Sequence, residues 1–310
     1  MNGGRAAGAL PPDLVMLERG WLSSNSLLML DDPRGAVLVD TGYCTHKAQT
    51  LSLVQAALGE QRLRLIVNTH LHSDHCGGNA HLSAHFGCPV WVPPGHFQAA
   101  VEWDQSALSF TATGQHCERF TPTASLQPCS VLHQGGRDWQ IHAAPGHDTH
   151  SVLLFEPESG VLMSADALWE HGFGIVFPEI DGEPGFEAVE ATLDLIASLP
   201  AQIVIPGHGA LFTDVASALV EARSRLVFFK ANPRRHARHA AKALLKYHLL
   251  EVIHQTRDEI LAWLCQTPIH QQLWRQFFVS VPIDAWSLEL IDELAHSGIL
   301  RIDGDRIYNN

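Results

Sequence analysis

Short apolar runs alternate with helix-period stretches along the first two thirds of the chain. The runs "NSLLML", "AVLVD", "LRLIV", "CPVWV", "WQIHA", "SVLLF", "GVLMSAD" and "AQIVIPG" predict strands. Several are rich in β-branched residues and bounded by Gly, Pro or Asp. Between them, "THKAQTLSLVQAALGE" (45–60) repeats apolar residues at helical spacing. "NAHLSAHFG" (79–87) opens on a capping-type Asn79 and closes on Gly87, and "GFEAVEATLDLIASLP" (185–200) is stopped by Pro200. This alternation predicts an α/β layered body over residues 12–215. From residue 231 the pattern is helical, in "ARHAAKALLKYHLLEVIHQ", "RDEILAWLCQ" and "AWSLELIDELAHSG". Then "ILRIDGDRIYNN" reads as two strands around Asp303-Gly304. Three helices and a hairpin resemble a winged-helix module. The expected division is a body of residues 1–225 and a small C-terminal domain of residues 226–310.

Charge sharpens that division. The chain has 310 residues and a formal net charge of −13, a field that repels polyanions unless a basic patch overrides it. Residues 201–250 carry eight Lys and Arg against Asp214 and Glu221, a local +6 beside −19 for the remainder. Six cysteines without a C-x-x-C pair fit free thiols in a reducing compartment. The start, "MNGGRAAGALPPDLVMLERG", lacks the roughly 7–15-residue apolar core of a signal peptide. No run of about 20 apolar residues could cross a bilayer. The expected location is the cytoplasm.

Histidine is the unusual residue, with 20 copies. Composition alone says little, because most histidines are half-exposed or satisfied by one hydrogen bond; spacing decides. In "NTHLHSDHCGGN", His70, His72, Asp74 and His75 crowd the end of the predicted strand "LRLIV". Strand positions i and i+2 share a face, so His70 and His72 can aim to one side, and Gly77-Gly78 would permit a tight turn. A lone H-x-H is more simply a solvated polar loop, but H-x-H-x-D-H at a strand end points to a divalent ion. His147 in "HAAPGHDTHS", Asp166 in "VLMSADAL" and His208 in "IVIPGHGA" also stand at the ends of predicted strands, where α/β sites form. These side chains suffice for two ions sharing one carboxylate.

With "THLHSDH", "PGHD", "SAD", "PGHG" and an upstream "VLVDTG" in this order, the chain resembles the metallo-β-lactamase superfamily over residues 12–215. The resemblance implies an αββα sandwich of two mixed sheets between helices. It implies that His70, His72 and His147 hold a first metal, Asp74, His75 and His208 a second, and that Asp166 bridges them. Asp40 would orient a ligand, or else cap a turn. A metal-bridging hydroxide would then attack a small ester, thioester or lactone, with Asp74 and Asp166 as catalytic groups. The expected cofactors are two divalent ions, zinc first, with iron or manganese suited to the same donors. One departure stands out: many hydrolase relatives read P-G-H-T-x-G-H, whereas "PGHDTHS" places Asp148 and His150 there.

Other residues enter as alternatives. His171, in "ADALWEHGFG", is read either as a proton donor at an aromatic substrate mouth with Trp169 and Phe173, or as a solvated loop residue. Cys76 is read as a buried thiol, and His81 and His85 as helix surface. The basic stretch 223–246 suggests nucleic acid, but the recognition-type helix "SLELIDELAHSG" holds Glu289, Asp292 and Glu293 and no Lys or Arg. Nucleic acid is therefore disfavoured. The tail is expected to pack on the body or to mediate a homodimer, and the partner is a small-molecule substrate. The alternative functions are a metal-dependent RNA phosphodiesterase and a non-enzymatic metal-centre sensor.

Overall fold

The computed structural model describes residues 9–310; the part of the signal-peptide reading that rests on residues 1–8 lies outside them. Instead of two contiguous segments, the chain forms one compact unit from residues 9–108 and 116–226, and a second from residues 109–115 and 227–310.

The first unit is built on two sheets. Strands β1 (Leu14–Leu17), β2 (Ser26–Met29), β3 (Ala36–Val39), β4 (Leu63–Val67), β5 (Val90–Val92) and β6 (Ala124–Ser125) lie side by side in sequence order. The first three are antiparallel, and the pairs from β3 to β6 are parallel. Strands β7 (Val131–Gln134), β8 (Arg137–Ala143), β9 (Val152–Glu156), β10 (Val161–Ala165) and β11 (Ile203–Pro206) form the second sheet, antiparallel except for the β10–β11 pair.

Side-chain alternation explains how the sheets pack. Leu27, Met29, Val37, Val39, Leu65 and Val67 share one buried cluster with Trp139, Ile141, Leu154, Met163 and Ile205 of the second sheet. The intervening Leu28, Leu38 and Ile66 are fully buried on the outer face, where helix Asn79–Phe86 packs on β4. Burial of each such side chain contributes about 1.5–3 kcal/mol, and a one-residue slip would exchange the two faces. The second sheet repeats the device with Leu153, Phe155, Leu162 and Val204. Helix Gly185–Ser198 buries Phe186, Val189, Leu193 and Ile196 and anchors Thr192 Oγ1 on the Pro145 carbonyl at 2.7 Å. This is the expected αββα sandwich. Because β8 and β10 both run antiparallel to β9, and β11 parallel to β10, the strand ends that precede His147, Asp166 and His208 lie on one edge.

In the second unit, helix Pro233–Val252 buries Ala237, Ala240, Ala241, Leu244, Leu245 and Leu249. Helix Arg257–Gln266 opens with a reciprocal Thr256–Glu259 capping box. Strands β12 (His254–Thr256), β13 (Leu300–Asp303) and β14 (Arg306–Asn309) form a sheet in the order β12-β14-β13. The hairpin turn falls at Gly304–Asp305, one residue later than expected. Among the described residues no helix is long and apolar enough to cross a membrane.

This unit also buries neutral histidines. Burial pushes His270 down to about 4 and His236 down to about 3. An unfolded histidine takes its proton near 6.5, so below that pH the unfolded chain binds more protons than the folded one. Stability is therefore full above pH 6.5 and declines toward pH 4 by about 1.4 kcal/mol per pH unit for each such group. Amide-exchange protection in helix Pro233–Val252 should fall over that window, and less steeply in His270→Gln. A flat profile in the unchanged protein would contradict this.

Candidate metal centre

Strand β4 delivers the first candidate ligand residues into a loop that polar side chains cross-link. Asn68 Nδ2 donates to the His75 carbonyl at 3.1 Å, Asn79 Nδ2 to Asn68 Oδ1 at 2.7 Å, and Thr41 Oγ1 to Asn79 Oδ1 at 2.9 Å. Asn79 is thus a cross-link and not the expected helix cap; Gly78 occupies the cap position. Nor do Gly77 and Gly78 serve as left-handed turn residues. Both are right-handed, and they are needed for space: a Cβ on Gly77 would lie 2.5 Å from Cys44 N, and one on Gly78 2.5 Å from Thr41 O.

Two groups of donors result. His70, His72 and His147 each bring one ring nitrogen within 4.8 Å of the others, and Asp74, His75, Asp166 and His208 gather one carboxylate oxygen or ring nitrogen each in the same way. His70 Nε2 lies 3.1 Å from His72 Nδ1, which is 2.7 Å from His147 Nε2. Asp166 Oδ2 sits 3.3 Å from His147 Nε2, 3.5 Å from His75 Nε2 and 3.9 Å from His208 Nε2, so one carboxylate oxygen faces both groups. Asp74 Oδ2 is 3.1 Å from His208 Nε2.

Neighbouring groups set the tautomers. His147 Nδ1 donates to the Ile175 carbonyl at 2.6 Å, and His75 Nδ1 to Asp40 Oδ2 at 2.8 Å. In its neutral form each ring then presents a bare Nε2 lone pair to the cluster. Asp40, at the end of β3, also accepts from Thr69 N and Oγ1 at 2.9 and 2.7 Å. It therefore orients His75. Backbone strain accompanies these placements: Asp40 and Ala165, beside Asp166, have φ of 59° and 47°, a left-handed conformation that costs non-glycine residues about 1–2 kcal/mol.

The charge balance calls for a cation. Burial, aided by His147, pushes His72 down to about 3, and burial with His75 holds His70 well below the usual range, so both rings are neutral. Burial alone would also lower His75, but the carboxylates of Asp166, Asp40 and Asp74 outweigh it and raise that ring well above its ordinary value. Yet His75 Nε2 is fully buried and has no hydrogen-bond partner. Three imidazole nitrogens converge with fewer protons than contacts, beside buried carboxylates and an orphaned Nε2, and a cation resolves both problems. Tetrahedral bonds of about 2.0–2.1 Å place donors roughly 3.3 Å apart, and the observed separations of 2.7 Å to 4.0 Å bracket that value. The residues fit divalent ions.

His171 is not among the gathered groups. The loop folds back through a Trp169–Gly172 bridge, so the His171 side chain is 75% exposed and pairs with Glu221 at 3.0 Å. A proton-donor role at the mouth gives way to a surface ion pair, which also raises its pKa. Trp169 reaches the cluster instead, its Nε1 donating to Asp166 Oδ1 at 3.2 Å. Trp21, which carries no motif, stacks on His208 at 5.3 Å and 11° and meets Trp169 edge-on at 5.5 Å. Asp148 is buried, its Oδ2 3.8 Å from both His72 Nε2 and His96 Nε2. The departure in "PGHDTHS" is its only signal in the sequence. His85 lies on the helix surface against Gln55, as expected.

Removing the Asp40 carboxylate should loosen His75 without emptying the fold. Asp40→Ala is expected to weaken metal affinity about 10–100-fold, the usual cost of losing a ligand's partner, as measured by competition with a chromophoric chelator. Unchanged affinity would show that Asp40 only shapes its turn.

Residues 19–208 match the family described as the metallo-β-lactamase superfamily, and the chain belongs to it. Among curated relatives, the hydroxyacylglutathione hydrolase GloC of Haemophilus influenzae is 27% identical over 61% of this chain and 87% of its own length. A hydroxyacylglutathione hydrolase of Synechococcus sp. is 31% identical over 58% of this chain and 61% of its own. Several matches thus span less than two thirds of the relative. Two solved structures are similar in fold. The metallo-β-lactamase family protein TTHA1429 from Thermus thermophilus has a TM-score of 0.57 at 22% identity, covering 97% of this chain and 100% of that one. TTHA1623 in a di-iron-bound form has a TM-score of 0.51 at 26% identity, covering 66% and 97%.

Proposed function

We propose that this chain is a dinuclear metal-dependent hydrolase of a small thioester, ester or lactone. His70, His72 and His147 would hold one ion and Asp74, His75 and His208 the other, with Asp166 available to both. The position of Asp166 Oδ2, within 3.3–3.9 Å of nitrogens from both groups, carries the reading. The hydrolase relatives and the di-iron-bound neighbour support it. Bound divalent ions supply Lewis-acid polarisation of a carbonyl and a water acidic enough to react near neutral pH. The protein's own part is positioning. Asp40 and the Ile175 carbonyl fix two ring tautomers. His70 and His72 stay neutral and therefore available as donors. Asp74 and Asp166 stay ionised: burial opposes this, but His75 and His208 prevail. No side-chain nucleophile is required, and Cys76 is turned away, its Sγ directed at the Leu71 carbonyl and Cys117.

Trp21 and Trp169 define the wall that meets the substrate. An indole 49% exposed beside a polar centre offers an apolar face for an acyl chain. The RNA reading is weakened in the second unit, where several of the basic residues are already paired. Arg238 bonds Glu289 and Glu293 at 3.0 and 2.5 Å, Lys242 bonds Glu293 at 3.1 Å, and Arg257 bonds Asp292 at 2.7 Å.

A panel of acyl thioesters, p-nitrophenyl esters, lactones and single-stranded RNA, assayed before and after chelation, tests the proposal. Thioester or ester turnover should vanish with the metal and return with zinc, iron or manganese. Trp21→Ala should raise KM for medium-chain acyl substrates by about tenfold, near 1.4 kcal/mol of lost apolar contact, and spare acetyl ones. Turnover that survives metal removal, or cleavage of RNA alone, would contradict it.

A further inference from the structure

A second chemically competent feature lies behind the ligand loop. Cys76 ends the one-turn helix Ser73–Cys76 that carries Asp74 and His75, and its thiol is fully buried. Cys117 lies far along the chain and is half-buried, yet the two Sγ atoms are 3.7 Å apart. The segment around Cys117 is tied down on both sides. His116 N donates to Tyr43 Oη at 3.2 Å, Cys44 Sγ donates to the His116 carbonyl at 3.3 Å, and Lys47 pairs with Glu118. Cys117 is therefore held against the back of the ligand helix.

We propose that Cys76 and Cys117 form a modification site, oxidised by a peroxide-class oxidant to an intramolecular disulfide that pulls the Asp74–His75 helix out of its metal-binding position. The chemistry balances without help from the centre. Peroxide transfers one oxygen to the Cys117 sulfur, giving the sulfenic acid and one water. The Cys76 sulfur then attacks the Cys117 sulfur, and the sulfenic hydroxyl leaves with the Cys76 proton as a second water. Two thiols are oxidised and one peroxide is reduced. Cys117 reacts first because Cys76 is closed to solvent.

Geometry connects the bond to the site. A disulfide requires an S–S distance of about 2.05 Å, well inside the present 3.7 Å, so closing it must turn the buried Cys76 side chain, draw its helix toward the Cys117 segment, or both. The Cys117 segment is moored to Tyr43, Cys44 and Lys47. On the other side, metal sites tolerate ligand errors of only about 0.2 Å, and His75 directly precedes Cys76. A displacement small for the fold is large for a metal ligand. The consequence for the metal rests on the proposed function; the disulfide itself does not.

The experiment treats the metal-replete full-length protein with hydrogen peroxide and measures intact mass, cross-linked tryptic peptides and metal content. The expected result is loss of two hydrogens, a Cys76–Cys117 peptide, release of at least half of the metal, and recovery of both thiols and metal affinity with dithiothreitol. Cys117→Ser should hold the same metal as the unchanged protein and keep it under peroxide. A cross-link to Cys44 instead, no cross-link, or a Cys76–Cys117 cross-link with metal fully retained would overturn the proposal. If the reduced protein binds no metal, the metal-centre reading fails, while the peptide result still judges the thiol pair.

Discussion

Asp166→Ala is expected to lower hydrolytic turnover by about a thousand-fold or more and to leave the protein with at most one bound ion. The residue does three things at once. Its Oδ2 faces His147 on one side and His75 and His208 on the other. Its Oδ1 accepts from the Trp169 indole. Its charge offsets the proton or metal that His75 attracts. Alanine removes all three and leaves His75 and His147 facing a gap. Losing electrostatic stabilisation at one position in an active centre costs about 10²–10³ in rate, and losing an ion costs several kcal/mol more. Asp166→Asn separates the contributions, because the amide can still accept from Trp169 but carries no charge. It should resemble alanine in activity and exceed it in folding stability. Turnover assays with elemental analysis of both variants provide the check. A fully active alanine variant holding two ions would remove Asp166 from the account.

The second large effect comes from a residue with no side chain. A Cβ on Gly207 would lie 1.9 Å from Asp166 Oδ1, and the backbone there cannot give way. Gly207 N donates to the Ala165 carbonyl at 2.7 Å, and the Gly207 carbonyl accepts from Asn25 N at 2.7 Å. Gly207→Ala must therefore turn the Asp166 carboxylate, and it should lose metal and activity by about a hundred-fold or more, as a ligand misplacement does. Gly209 makes the comparison sharp. It has φ of +88° with no heavy atom within 4 Å of its Cβ position, so Gly209→Ala should cost about 1 kcal/mol of stability while keeping its metal. Equal metal loss in both variants would mean that the loop, and not the carboxylate, is at fault.

Much of the fold is legible in the sequence because its causes are local. The short, largely apolar runs in "LRLIV" and "SVLLF" record strands buried on both faces, and the polar residues gathered at strand ends mark the sheet edge where they meet. What the sequence hides is set by distant or compensating contacts. Strand β12 is masked as the end of a long helix, because "ARHAAKALLKYHLLEVIHQ" keeps a helical pattern past Val252; the chain turns at Ile253, with φ of 69°, and pairs with β14. Residues 109–115 give no sign of joining the second unit. At the site, Asp40 stays ambiguous between a turn cap and a ligand partner until its 2.8 Å contact with His75 Nδ1 is seen. Nearness in sequence to Asp166 favours His171, but a tight bridge turns it outward. Trp21 stands far from every motif, and only the fold brings it to His208.

Anomalous diffraction from crystals of the metal-replete protein, recorded on either side of the bound metal's absorption edge, addresses the centre most directly. Two peaks about 3.5–4 Å apart are predicted. One should lie within bonding reach of His70 Nε2, His72 Nδ1 and His147 Nε2, the other of Asp74, His75 and His208, with Asp166 Oδ2 touching both. Peaks elsewhere on the molecule, or none beside these side chains, would contradict the account.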